Sequence, residues 1–388
     1  MNAKIRRNAM HAKNTVRYFL LIVFVMLFFF FTNDFGLVGA QKTAIVTAIA
    51  IDKEEDGFSL AVQIANPSKE QASGGGGGNG KSGESEGNSQ YPCVEGKGKT
   101  VAQALDEAEK STGWLIKLVF CRLIVLGDSF AENDAFDALD YFLLDEYMND
   151  DCLIAAVDGK AAEVLKAKTQ LGASSALAIE KVLSNTAKSA GVSLPCNLKD
   201  FAVGYFGAGR SGVLPLLEQE ENFFKAEKTV LFKEGRRIGV LNAEETFALS
   251  VVKNPLRLAS YTTQVDGVDC TLTVRKTNNK RKFSIKENTP VLKVEIALYA
   301  GVKDNAQSRP IEDLKDLGDL PSGALAVASQ SLAAQIESLH QKCKAIGFDA
   351  FEAIGMLQKY ENDYFEAFKE TLPERLELDL TVHFESLR

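Results

Sequence analysis

The longest unbroken apolar block lies near the start of the chain, where Tyr18 to Phe31 (YFLLIVFVMLFFFF) carries no charge. As a helix its 14 residues would span about 21 Å, short of a hydrocarbon core of roughly 30 Å. That length suits the apolar region of a signal peptide. Lys4, Arg6, Arg7, Lys13 and Arg17 precede the block without an acidic residue, and Thr32-Asn33-Asp34 follow it. This charge bias keeps the N-terminus in the cytoplasm and places the remainder outside. Leu37-Val38-Gly39-Ala40-Gln41 then read as a signal cleavage site, or as a degenerate lipobox in which Ala40 stands where a lipid-bearing cysteine would. Residues 1–41 are thus a signal peptide or a membrane anchor.

Beyond the leader the periodicity changes from continuous to alternating. Thr43 to Ile51 is apolar on both faces, whereas Phe58, Leu60, Val62 and Ile64 alternate with Ser59, Ala61 and Gln63. The pattern predicts a hairpin of one central and one half-exposed strand, turning at Asp52 to Gly57. Ser73 to Ser89 holds Gly74 to Gly78 among serines and charges, so residues 72–90 form a flexible insert with too little apolar surface to order itself. Thr100 caps a helix whose Val101, Ala104, Leu105 and Ala108 share a face and which ends at Gly113. A buried strand over Leu115 to Leu126 follows, then a helix from Ala135 to Tyr147 and a strand from Leu153 to Val157. Helices over Ala161 to Leu165 and Ala176 to Ala190 come next, the second stopped by Gly191. Phe201 to Gly212 reads as a mobile loop.

Glu218, Glu220 and Glu221 mark a domain boundary, giving an N-terminal domain at about 42–215 and a C-terminal one at about 225–388. The second opens with strands at Lys228 to Lys233 and Arg237 to Leu241, and Asn242 with Glu245 forms a capping box for a helix through Val252. Four strands are expected at Leu258 to Gln264, Cys270 to Arg275, Arg281 to Lys286 and Val291 to Tyr299, with a hairpin turn at Asn278-Asn279. Leu325, Ala328, Leu332, Ile336, Leu339, Cys343 and Ile346 then form one stripe along a long helix, to pack on the domain's own sheet or on a partner helix. Asp349 and Glu352 cap a further helix, and Phe365 and Phe368 lie on a shorter one. Leu376 to Phe384 alternates cleanly as a final strand, so the C-terminus is a structural member. The fold class is α+β, with mixed, largely antiparallel sheets flanked by helices in two or three domains after the leader helix.

Composition narrows the function. The chain of 388 residues has a formal net charge of −8, and without the five basic residues and one acidic residue of the leader the body carries 39 basic against 51 acidic residues. An acidic exported body is a poor partner for nucleic acid or anionic headgroups. The 6 cysteines are far apart, form no Cys-x-x-Cys pair and sit in apolar runs, as buried free thiols do. The three histidines, His11, His340 and His383, have no ligand or triad neighbour at useful spacing, and no catalytic cofactor or metal is expected. Gly207-Ala208-Gly209-Arg210-Ser211-Gly212 formally fits G-x-G-x-x-G, but Pro215 interrupts the helix that a dinucleotide site needs. Asp145, Glu146, Asp150 and Asp151 could supply a carboxylate pair, yet the one tryptophan, Trp114, is too little for a sugar platform.

The order of the pieces resembles the Ger(x)C family, the C-subunits of spore nutrient germinant receptors. The resemblance rests on Ala48-Ile49-Ala50-Ile51-Asp52, Gly98-Lys99-Thr100, Leu123-Ile124-Val125-Leu126-Gly127-Asp128, Leu139-Asp140-Tyr141-Phe142 and Ala156-Val157-Asp158-Gly159-Lys160-Ala161. In the second half the paired strands from Ala226 to Leu241 and Gly347-Phe348-Asp349-Ala350-Phe351 continue it. Three features depart from the family: Ala40 replaces the lipidated cysteine, the glycine-rich insert is atypical, and Tyr364 or Phe365 stands for a tryptophan near the last helices. The resemblance implies a non-catalytic subunit on the extracytoplasmic face of the membrane around the spore core, assembled with integral-membrane A- and B-type subunits and needed for nutrient-triggered germination. Nutrient recognition would lie in those partners, so the resemblance brings no ligand site. A membrane-attached extracytoplasmic solute-binding protein is the alternative, and it requires a cleft between domains.

Overall fold

The computed structural model describes residues 18–26, 43–65, 91–265, 267–305 and 323–386. Residues 18–26 form a helix within the apolar block, and Leu37 to Gln41 and the insert at 72–90 lie outside the described residues. No helix of the described residues is long and apolar enough to cross a membrane. The chain divides by contacts into Met1–Thr43 and a body, Ala44–Arg388.

The described residues of the body form two sheets. In the first, β1 (Thr43–Glu54) and β2 (Gly57–Ala65) form the expected hairpin, extended by β3 (Cys93–Gly98). Strand β2 is not half-exposed: Ala61 and Gln63 are buried because β3 covers its free edge and helices cover its second face. Helix α1 (Val101–Thr112) is capped by the Thr100 hydroxyl and stopped by Gly113 at φ 67°, with the apolar face the sequence predicts.

The run from Leu115 to Leu126 is not one strand but β4 (Leu115–Lys117) and β5 (Leu123–Leu126), both beside β1. Between them the Cys121 N–H closes a turn on Leu118 O at 2.8 Å and exposes Val119 and Phe120. Helix α2 (Phe136–Leu144) ends three residues earlier than its periodicity suggests, where Asp145 turns extended. Strand β6 (Leu153–Val157) and helix α3 (Ala161–Lys166) follow as expected.

The stretch to Gly191 is two helices, α4 (Ser175–Val182) and α5 (Asn185–Ala190), because the Ser184 hydroxyl accepts from Ala187 N–H and restarts the helix. The short β7 (Cys196–Asn197) leads into α6 (Leu198–Phe206), capped by the Asn197 side chain, so the expected mobile loop at 201–212 is a helix end, a turn and the start of β8 (Ser211–Glu220). An Asn-x-x-Asp start was legible there, but the glycines masked it. Strands β9 (Phe223–Lys233) and β10 (Arg236–Leu241) complete this sheet, in the order β10-β9-β8-β6-β5-β1-β2-β3. The segment between 215 and 225 therefore runs through the β8–β9 hairpin.

Parallel pairing joins β1, β5, β6 and β8, and antiparallel strands flank them. Ile49, Ile51, Ile124 and Leu126 face α1, α2 and α6, while Ala48, Ala50, Leu123 and Val125 face α3 and α4. The sheet is thus the middle of three layers, which explains why its central strands are apolar on both faces.

Helix α7 (Ala243–Lys253) starts at the complete Asn242/Glu245 capping box. The second sheet then runs β11-β12-β13-β14, comprising Ser260–Val265, Val268–Lys286, Thr289–Asn305 and Glu377–Ser386. Two of the four expected strands merge into β12, and Asn278-Asn279 makes no turn. The Asn279 amide instead donates to Val251 O, to Val252 O at 3.3 Å and to Asn254 O at 3.4 Å, capping the end of α7. The hairpin is made at Glu287 and Asn288, both at positive φ. Strand β14 lies parallel to β13 at the sheet's edge. Helix α8 (Ala324–Ala345) buries Ala328, Leu332, Ile336, Leu339 and Cys343 against this sheet, so its stripe is core and not a partner seam. Helices α9 (Ala353–Tyr360), α10 (Phe365–Phe368) and α11 (Leu372–Arg375) close that core.

Candidate functional site

Two places bring together residues singled out by the sequence. The first is the carboxyl end of β1, β5 and β6. There the buried Asp52 carboxylate accepts from the Ala161 and Ala162 N–H groups at 2.9 and 3.4 Å, capping α3. Burial pushes its pKa up, against the lowering effect of those two bonds. Gly127 packs against the same carboxylate so closely that a Cβ would overlap Asp52 Oδ1. The Gly127 N–H donates to Ile51 O and the Asp128 N–H to Gly159 O, each at 3.0 Å. The motifs Ile51-Asp52, Gly127-Asp128 and Asp158-Gly159, more than 100 residues apart at the extremes, therefore meet in a helix-capping junction.

The second place is a cleft of about 450 Å³ between the first sheet's α6–β8 corner and the second sheet's α7 and α9. Gly207 and Gly209 sit in the turn that forms its rim, and Phe201, Val213 and Phe348 supply apolar lining. The formal dinucleotide fingerprint thus lies on a cleft, but a strand follows it in place of the helix such a site needs, and the α9 N-terminus beside Gly209 is already capped by Asp349. Gly212 and Gly204 are needed for packing: a Cβ at the first would press on the Phe201 ring, and one at the second on Ser211 O.

Across the cleft the Lys253 ammonium stands 2.6 Å from Glu352 Oε1, with Arg281 Nη1 at 3.9 Å from Glu352 Oε2. Burial pushes the Glu352 carboxyl up, but Lys253 and Arg281 more than reverse this and leave it below the ordinary glutamate value. Glu352 also adopts φ 60°, the left-handed region a non-glycine residue seldom enters. Next to it, buried Asp349 accepts from Ala353 and Ile354 N–H, each at 2.8 Å. Burial raises its pKa, opposed by these two bonds. The sequence indicated the Asp349 cap; the Lys253–Glu352 pair, 99 positions apart, has no local signal. Hydrogen bonds continue between the two sheets, Lys233 Nζ donating to Gly347 O and Lys342 Nζ to Val240 O, each at 2.9 Å, while Lys342 Nζ also lies 2.7 Å from Glu245 Oε2.

The remaining candidates serve structure. His340 is buried, bonds Leu376 O at 3.1 Å and is held below the usual histidine value by burial. His383 is exposed on β14, and His11 lies outside the described residues. The Asp145 carboxylate accepts from Tyr147 N–H at 2.8 Å, a local turn. Among the described residues no three metal-ligating side chains gather, and all 6 cysteines are free thiols. Leu37, Val38, Gly39, Ala40 and Gln41 lie outside the described residues.

Fold and junction together define a two-sheet α+β protein whose most recognisable sequence motifs are spent on capping helices and joining strands. Residues 40–219 match the family model described as "Spore germination protein N-terminal domain", and residues 227–386 match "Spore germination B3/ GerAC like, C-terminal". The chain belongs to this family, the Ger(x)C proteins, C-subunits of spore germinant receptors. Among solved structures it is similar to the crystal structure of the GerBC protein, at 17% identity with a TM-score of 0.54, over 88% of this chain and 97% of that one. At that identity the likeness concerns the fold. No curated protein matches the sequence.

Proposed function

We propose that this protein is the non-catalytic C-subunit of a nutrient germinant receptor, held on the extracytoplasmic face of the membrane around the spore core beside integral-membrane A- and B-type subunits. The observation that carries the reading is the ordered match of both family models across residues 40–386. The family motifs at Asp52, Gly127 and Gly159 build a rigid junction, as a subunit that transmits or holds an arrangement needs. Attachment falls to the apolar block Tyr18 to Phe31, uncleaved, or to the partner subunits, because Ala40 offers no thiol for lipid. The test is affinity capture from spore membranes together with a germination assay on a deletion strain. Co-purification of multi-spanning partners and loss of nutrient-triggered germination are expected. Capture without such partners, or unchanged germination, overturns it.

The cleft favours a second reading, a membrane-attached solute-binding protein, since its open volume lies between two sheet modules with charged groups on its wall. Calorimetric titration of the protein with amino acids and sugars decides it: saturable binding lost in Lys253→Ala supports the solute reading, and no heat with any solute removes it.

A further inference from the structure

The turn between β4 and β5 reads Lys117-Leu118-Val119-Phe120-Cys121-Arg122, and its tip presents two adjacent apolar side chains to water, Val119 at 45% and Phe120 at 55% exposure. Neither is needed to make the turn, which closes through backbone bonding. Three further exposed apolar residues belong to the same end of the fold. Trp114 immediately precedes β4, Leu144 ends α2, and Tyr147 lies on the connection that enters β6. The Lys117 ammonium stands 4.7 Å from the centre of the Tyr147 ring and ties the two connections together. Arg122 N–H donates to Thr47 O at 3.0 Å and Leu153 N–H to Arg122 O at 2.9 Å, which places the turn at the amino-terminal ends of β1, β5 and β6.

This is also the end at which the chain enters the body, at Thr43. Between the apolar block and Thr43 lie only the 11 residues Thr32 to Lys42, which can span at most about 40 Å. Whatever holds Tyr18 to Phe31 in a bilayer therefore keeps this end of the body near the outer interface. Exposed aromatic and apolar side chains flanked by Lys117 and Arg122 suit a headgroup–acyl boundary, where rings bury their faces and cations reach back to water. Asp145, Glu146, Asp150 and Asp151 on the neighbouring connection make the same end a poor fit for attraction to anionic lipid.

We propose that the Val119-Phe120 turn, with Trp114, Leu144 and Tyr147 around it, rests in the outer interface of the membrane and makes an apolar contact with lipid that fixes the orientation of the body. The proposal rests on the membrane attachment proposed above and adds the face that meets the bilayer. Trp114 is the only tryptophan of the chain, so its fluorescence reports this face alone, without interference from the leader. The full chain would be reconstituted into zwitterionic phosphatidylcholine vesicles with either ordinary or brominated acyl chains, and vesicle flotation measured in parallel.

The expected result is a blue-shifted Trp114 emission that brominated lipid quenches and added salt leaves unchanged. Phe120→Asp, and separately Leu144→Asp at the end of α2, should lose the quenching while the protein still floats and keeps its circular dichroism. Floating protein whose Trp114 emission is the same in both lipids overturns the lipid contact; emission protected only after integral-membrane receptor subunits are added does so too, and assigns the face to a protein partner. Protein that fails to float overturns the attachment itself, a separate outcome from the loss of quenching.

Discussion

Replacing Gly127 by alanine should destabilise the protein chiefly through the Asp52 carboxylate, with a lesser contact on Gly159 O. Gly127 has ordinary extended torsions, φ −74° and ψ 171°, so alanine meets no backbone strain. The cost arises because the new Cβ overlaps Asp52 Oδ1 and displaces the carboxylate from Ala161 and Ala162 N–H. Losing a helix cap costs about 0.5–2 kcal/mol, and a buried N–H left unsatisfied about 1–3 kcal/mol. Asp52→Ala and Gly127→Ala should therefore each cost about 2–3 kcal/mol. In the double variant the carboxylate is already absent, so the added cost of Gly127→Ala should fall to about 0.5 kcal/mol or less, a coupling within the range for residues in contact. Urea unfolding of the four proteins at constant slope measures this cycle. Additive costs would refute the reasoning, since they would show that Gly127 is needed for something other than room for Asp52.

Further outcomes follow from the same structure. Burial raises the pKa of Asp349 above its ordinary 3.8, so the native state holds this proton more tightly than the unfolded chain. Its contribution to stability is then fully present below that value and declines as pH rises towards the folded pKa. The stability difference between wild type and Asp349→Asn should accordingly shrink as pH is raised above about 3.8; a difference that grows with pH would contradict this. For His340 the sign is opposite, because burial lowers its pKa from 6.5. Stability tied to its neutral form should be lost as pH falls through 6.5, and that segment of the pH profile should flatten in His340→Asn. Asn279→Ala should cost about 1–3 kcal/mol by uncapping the buried end of α7, read as a lower denaturation midpoint. Cys93, the half-buried thiol, should be alkylated before the five buried ones in the native protein; mass mapping that finds Cys121 or Cys152 labelled first would count against the packing around them.

Short-range chemistry was legible in the sequence and long-range pairing was not. The Thr100 cap, the Asn242/Glu245 box and the Gly113 and Gly191 stops are each decided within a few residues, and all four hold. The structure departs from the local pattern where a distant partner overrules it. Asn278-Asn279 resembles a turn by composition, but the carboxyl end of α7 recruits the Asn279 amide and β12 runs on through it. Ala61 and Gln63 look like a wet face until α3 and α4 cover it; Gln63 then donates to Leu165 O at 3.0 Å and Ser175 Oγ at 2.9 Å. The cleft has no local signal for the same reason, since its wall pairs Lys253 with Glu352 from separate elements, with Arg281 near Glu352 from a third.

The placement of the motifs also constrains where function can lie. In open α/β sheets the carboxyl ends of parallel strands are the usual position for a bound ligand, because loops diverge there and helix N-termini face the opening. Here that position is filled from within the chain. Asp52 occupies the start of α3, Gly127 and Gly159 close the loops onto each other, and the Lys53 N–H is tied to Ser129 Oγ at 2.8 Å. A carboxylate already bonded to the helix N–H groups does the work that an anionic ligand would do there. Among the described residues, the contacts proposed above fall elsewhere, at the amino-terminal end of the same strands with its exposed Val119-Phe120 turn and at the cleft between the two sheets. One sits where the chain enters the body and the other where its two sheets meet, so contacts at the first would set the position of the protein and contacts at the second would sense how its modules are arranged.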